Sequence, residues 1–176
     1  MEISEKRLSG LLDLTDFVSL EELYCYDNQL TGIKFSENVF DKLRVLHIGN
    51  NQFLSQDLSL FSRLIKLEVL NLGNNNFTGS LKFLKNLTNL RSLDISDTNI
   101  EDGLIYLSDQ LESLFCRVEK KVNKELKSLE SESLNKEKKP FTLINNVYQK
   151  LALIEGEEKN IISFLEKDIE KMQKSD

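Results

Sequence analysis

The stretch Leu67-Glu68-Val69-Leu70-Asn71-Leu72-Gly73-Asn74-Asn75-Asn76-Phe77 decides how the chain folds. Its apolar residues follow the spacing LxxLxLxxNxF. Alternation at Leu70 and Leu72 fits a short strand that sends every second side chain into one core. Asn75 then suits a sharp turn, because its amide can satisfy backbone groups that a continuing strand would leave open.

The same frame recurs at Leu20-Leu23-Cys25-Asn28-Leu30, Leu43-Leu46-Ile48-Asn51-Phe53 and Leu90-Leu93-Ile95-Thr98-Ile100, then fades at Leu111-Leu114-Cys116. The first leucines lie 23, 24, 23 and 21 residues apart. A fixed period of about 20–29 residues with this pattern resembles the leucine-rich repeat family, and the resemblance covers Leu8 to Cys116. It implies an α/β fold class: a short solenoid with parallel strands on its concave face and helical turns on its convex face. One repeat cannot bury its own leucines, whereas stacked repeats share a continuous core. Asn28, Asn51 and Asn75 are expected to form a ladder of amides bonding neighbouring backbone. Thr98 interrupts it, keeping a hydroxyl but losing the amide's second donor.

Leu8-Ser-Gly matches Leu30-Thr-Gly and Phe77-Thr-Gly, so the first 19 residues read as an incomplete capping repeat, with Leu12–Leu14 as a short edge strand. Phe77-Thr-Gly-Ser-Leu also resembles the variant of the family that carries an extra short strand after a Thr-Gly turn. Segments 35–42, 58–66 and 81–89 repeat their apolar residues at three- and four-residue intervals, which predicts short helices or helical turns.

Composition divides the chain near Arg117. Residues 1–117 hold 11 Lys+Arg against 17 Asp+Glu, whereas residues 118–176 hold 12 of each. Six of the seven glycines precede the boundary. The reading is a repeat domain over 1–117 and an α-helical, coiled-coil-like extension over 118–176. Stripes at Val118, Val122, Leu126 and Leu129, at Ile144, Val147, Leu151 and Ile154, and at Ile162, Leu165, Ile169 and Met172 have the 3-4 spacing of packing helices. They fit either an internal hairpin or bundle closing the array, or self-association through residues 141–174 that would make the chain an oligomeric scaffold. Zero net charge there gives no attraction to anionic lipid.

An acidic repeat array lacks the basic patch of a nucleic-acid binder. No stretch approaches the roughly 20 apolar residues of a membrane span, and residues 1–7 lack the apolar core of a secretory signal. Cys25 and Cys116 occupy the same inward position four rungs apart. At about 4.8 Å per rung that is roughly 19 Å, too far for a disulfide. Two free thiols and no signal lead to a cytoplasmic expectation. On the same ground Asn76-Phe-Thr and Asn86-Leu-Thr, which match the glycosylation acceptor pattern, read as chance.

The sequence holds no phosphate loop, GxGxxG, HExxH, GxSxG or CxxC. His47 has no ligand partners at metal spacing, and Asp94 with Asp97 lie on a turn-rich surface. The expectation is a protein without enzymatic activity, cofactor or metal. The side chains that flank the inward leucines project from the strands onto the concave face. Between the two inward residues of each repeat stand Tyr24, His47, Asn71, Asp94 and Phe115. Two residues on come Tyr26, Gly49, Gly73, Ser96 and Arg117, then Asp27, Asn50, Asn74, Asp97 and Val118. Leucine-rich repeat proteins generally bind other proteins through this face, so the resemblance implies another protein or an extended peptide as partner. Tyr24, Tyr26, His47, Asn71, Asp94, Phe115 and Arg117 are the candidate contacts. The competing reading is an ordinary solvated sheet with His47 stacked idly on Tyr24 and Phe115 covered by the C-terminal extension.

Overall fold

The computed structural model describes residues 1–116 and Lys167, whose ammonium lies 3.7 Å from a Glu101 carboxylate oxygen. Among the described residues nine strands follow in chain order: β1 Ser9–Leu14, β2 Glu22–Tyr24, β3 Gln29–Phe35, β4 Val45–His47, β5 Val69–Asn71, β6 Thr78–Ser80, β7 Ser92–Asp94, β8 Asn99–Asp102 and β9 Ser113–Phe115. One five-stranded parallel sheet runs β2-β4-β5-β7-β9. Its central residues Leu23, Leu46, Leu70, Leu93 and Leu114 are in register and buried. Each strand is three residues long because the chain turns as soon as its second inward residue is placed.

That turn is built the same way on each rung. Asp27, Asn50, Asn74 and Asp97 take left-handed backbone conformations, with φ of 52–54°, a region Asn and Asp tolerate better than most residues. Glu5 does the same with φ 57°. The next residue then delivers the ladder amide. Asn75 Nδ2 donates to Leu72 O and Gly73 O of its own rung and to Ile48 O of the rung before, while its Oδ1 accepts from Phe53 N. Asn51 and Asn28 repeat the arrangement, reaching back to Cys25 O and Ile3 O respectively. Thr98 donates its hydroxyl to Ile95 O, within its own rung.

Beyond the ladder the extra strands form. β1 pairs with β3 and β6 with β8, both parallel. The short edge strand expected at Leu12–Leu14 therefore exists in longer form, Ser9–Leu14, but belongs to the separate two-stranded sheet it forms with β3. The N-terminal edge of the concave sheet is made by residues 1–5 instead: Glu2 bridges Tyr24, Ile3 N donates to Tyr24 O, and Glu5 N donates to Tyr26 O.

The convex turns are 3-10 helices at Glu37–Val39, Leu58–Phe61, Leu81–Leu84 and Leu104–Tyr106. With three or four residues each they are too short for an α-helix. Ser36, Asp57 and Ser80 cap the first three, each side chain accepting the N–H two residues on. At the fourth turn Gly103 replaces the cap at φ 101°, where a Cβ would lie 2.7 Å from Leu81 N. Between sheet and turns lies one apolar core, in which Phe53, Phe61 and Phe77 pack with ring centres 5.3 and 5.5 Å apart. Cys25 and Cys116 are buried in it and form no disulfide with each other.

The expected helical extension over 118–176 and self-association through 141–174 fall outside the described residues. Among the described residues no helix is long and apolar enough to cross a membrane.

Candidate binding face

The last residue of each concave strand points away from the core, and strand register lines these residues up. Tyr24 pairs with His47, His47 with Asn71, Asn71 with Asp94, and Asp94 with Phe115. Five of the seven candidate contacts thus form one row across the sheet. Tyr26 joins it from the turn, its ring edge-on to His47 at 5.0 Å, while Tyr24 stacks on His47 at 6.3 Å. Phe115, at the other end, is exposed. Arg117 lies outside the described residues. Reading the repeats left out Glu2, which the Leu8-Ser-Gly match places in the Tyr24 column and the structure pairs with Tyr24.

The middle of the row is a fixed polar chain. Asn71 Nδ2 donates to His47 Nε2 at 3.1 Å and to Asp94 Oδ2 at 3.1 Å, and its Oδ1 accepts from Gly73 N at 3.0 Å. These partners leave the amide one orientation. His47 Nε2 must then be the acceptor, and the imidazole proton sits on Nδ1, which is buried and without a hydrogen-bond partner. Asp94 Oδ1 accepts from Ser96 N at 2.9 Å. Burial holds the His47 pKa below the ordinary histidine range, against the opposing pull of Asp94, Glu2 and Asp27. Burial likewise pushes the Tyr24 phenol up, helped by Glu22.

Two glycines make room for this chain. A Cβ at Gly49 would lie 2.6 Å from Asn71 Oδ1, and one at Gly73 would lie 3.2 Å from both Asp94 carboxylate oxygens. Each long side chain therefore folds over the glycine of the preceding rung. The outcome is a shallow hollow of about 260 Å³, floored by Gly49 and Gly73 and walled by Tyr26 and His47 at one end and Asp94, Ser96 and Asp97 at the other. Asn74 Nδ2 donates to Asn50 Oδ1 at 2.6 Å along its rim. Among the described residues no group of three or more His, Cys, Asp and Glu is placed to hold a metal ion.

The flank of the same sheet is electrostatically different. Glu21, Arg44, Glu68, Arg91 and Glu112 alternate in sign, with Arg44 hydrogen-bonded to both Glu68 oxygens and Arg91 paired with Glu112. These exposed pairs contribute little to stability, but they leave that flank close to neutral, with three Glu against two Arg.

Comparison with known proteins agrees with the geometry. A family model described as leucine-rich repeats in two copies matches residues 18–63 and 65–105. Receptor-like protein 41 of Arabidopsis thaliana is 39% identical over 95 residues, covering 51% of this chain and 11% of that protein. Receptor-like protein 39 of the same plant is 38% identical over 103 residues, covering 55% and 12%. The chain therefore spans about an eighth or less of the length of these curated relatives. The crystal structure of the leucine-rich repeat ectodomain of the receptor kinase SOBIR1, also from Arabidopsis thaliana, superposes with a TM-score of 0.56 at 28% identity, covering 67% of this chain and 68% of that one.

These relatives overturn the cytoplasmic expectation, because receptor-like proteins and a receptor-kinase ectodomain point to an extracellular or membrane-associated location. The physical reason for the error lies in the thiols. Cys25 fills an apolar core position, and burial pushes its pKa to about 12. An unpaired cysteine there reports packing, not the redox state of a compartment.

Proposed function

The chain belongs to the leucine-rich repeat family, and from that premise we propose that its concave sheet docks an extended segment of another protein. The observation that carries this reading is the row from Tyr24 to Phe115, in which His47, Asn71 and Asp94 are already hydrogen-bonded into place. Little side-chain freedom is left to lose on binding, and affinity is favoured by the ordering already done. Tyr24 and Tyr26 at one end and exposed Phe115 at the other are residue types that recur as interface anchors. Tyr24, Tyr26, His47, Asn71, Asp94, Phe115 and Arg117 are the proposed contacts. The role is recognition without catalysis, in keeping with relatives named as receptor-like proteins and a receptor-kinase ectodomain. It would be exercised outside the cell or at its membrane. Residues 118–176 are read as a separate extension on the composition shift near Arg117.

The test is co-precipitation of partners by the wild-type chain and by a Tyr24→Ala/Tyr26→Ala/Asp94→Ala variant whose far-UV circular dichroism matches. Partners held by wild type and lost by the variant support the reading. Identical partner sets would remove the concave face from the account.

A further inference from the structure

We propose that the occupant of the concave hollow is a cationic segment, an extended stretch of another protein bearing arginine or lysine, with a positive head seated at the Asp94–Asp97 end. The inference rests on the concave-face reading above and adds the chemistry of the ligand.

Charge complementarity on a preformed surface favours such an occupant. Along the three outward columns of residues 1–116 stand Glu2, Glu5, Asp27, Asp94 and Asp97, and none of the positions is Lys or Arg. The basic residues of the repeats lie elsewhere, with Arg44 and Arg91 in the flanking ion pairs and Arg63 paired with Glu37 near the convex turns. The flank offsets most of its charge, three Glu against two Arg, whereas the concave columns over residues 1–116 carry one sign. Such a face raises the local concentration of cations and disfavours anionic partners.

The shape adds to this. Gly49 and Gly73 floor the hollow, and the space a Cβ would take there is filled by the Asn71 amide and the Asp94 carboxylate, which lie close against the sheet as a ready-made polar surface. From the Tyr26 rung to the Asp97 rung is three steps, roughly 14 Å at about 4.8 Å each, the reach of about four extended residues. Asp94 is held by Ser96 N and Asn71 Nδ2, which fixes its carboxylate in advance and leaves lone pairs for a guanidinium, the group best matched to a carboxylate. At the opposite end the Tyr26 and His47 rings offer an apolar wall for the aliphatic stem of such a side chain.

The experiment uses the full chain and three dye-labelled peptides of equal length, (Gly-Arg)4, (Gly-citrulline)4 and (Gly-Glu)4, followed by fluorescence anisotropy at low salt. Citrulline keeps the shape of arginine and removes its charge. The expected result is binding of the arginine peptide, at least about tenfold weaker binding of the citrulline peptide, and none of the glutamate peptide. Asp94→Asn/Asp97→Asn should weaken the arginine peptide about tenfold. Asp16→Asn/Asp41→Asn, which removes equal charge from exposed positions outside the hollow, should leave it unchanged. Equal losses in the two double variants would mean bulk attraction and overturn the inference, as would failure of the arginine peptide to bind. If the citrulline peptide binds as tightly as the arginine one and Tyr26→Ala weakens both, the charge inference falls while concave docking stands.

Discussion

Replacing Asn75 by alanine should expose how much the amide ladder contributes. Asn75 is buried and is the partner of Ile48 O, Leu72 O and Phe53 N; Gly73 O, its fourth contact, also accepts from Asn50 N at 2.9 Å. Alanine would leave two buried groups, Leu72 O and Phe53 N, unsatisfied, because Ile48 O also accepts from Asn51 Nδ2 at 3.0 Å. At about 1–3 kcal/mol each, with some relief if water enters the space vacated by the amide, the expected loss is about 2–4 kcal/mol. That is a large part of the stability of a domain this size. Asn75→Thr should fall between, because a hydroxyl at this position keeps the bond to its own rung, as Thr98 does with Ile95 O, and loses the two that reach Ile48 and Phe53. The assay is urea unfolding followed by far-UV circular dichroism, with amide exchange of Phe53 read alongside as the local signal. A loss below about 1 kcal/mol with unchanged Phe53 exchange would refute the ladder argument. So would a threonine variant as unstable as the alanine one.

Thr98→Asn should act in the opposite sense, adding a bridge from the fourth rung to Leu72 O and stabilising the array by about 1 kcal/mol in the same urea assay. Because burial lowers the His47 pKa in the folded chain, the unfolded chain binds the proton first as pH falls. Stability should therefore be fully present above the ordinary histidine pKa of about 6.5 and decline below it, and His47→Gln should flatten that part of the urea-midpoint profile. In a Cys116→Ser background the Cys25 thiol, pushed to about 12 by burial, should resist Ellman's reagent at pH 8 and react fully in denaturant; rapid reaction in the folded chain would contradict its placement. Asn76 and Asn86 are exposed, and the revised location removes the ground for treating their triplets as chance. Secretion from eukaryotic cells should yield a glycan mass lost stepwise in Asn76→Gln and Asn86→Gln.

The repeat was legible because two periods agree. Alternation at Leu70 and Leu72 sets which face is inward, and the 21–24 residue recurrence sets which rungs are neighbours. Together they force Tyr24, His47, Asn71, Asp94 and Phe115 into one row without any knowledge of coordinates. The ladder followed from the same frame, including its interruption at Thr98. Location did not, because a cysteine on an apolar core position looks the same in any compartment. Nor did the left-handed turns at Asp27, Asn50, Asn74 and Asp97, since the preference of Asn and Asp for that region is weak and only the shared register makes it systematic. The hollow was hardest to foresee. Written as a column, Tyr26, Gly49, Gly73 and Ser96 show two blanks between side chains, and a blank reads as the absence of a contact. In the folded chain those blanks are what admit Asn71 over Gly49 and Asp94 over Gly73, and so join His47 to Asp94 through one amide. Gly49→Ala would force Asn71 to turn away from its 2.6 Å clash and release His47, Asp94 and Gly73 N. The chemistry of this face therefore depends on the two residues that contribute no side chain to it.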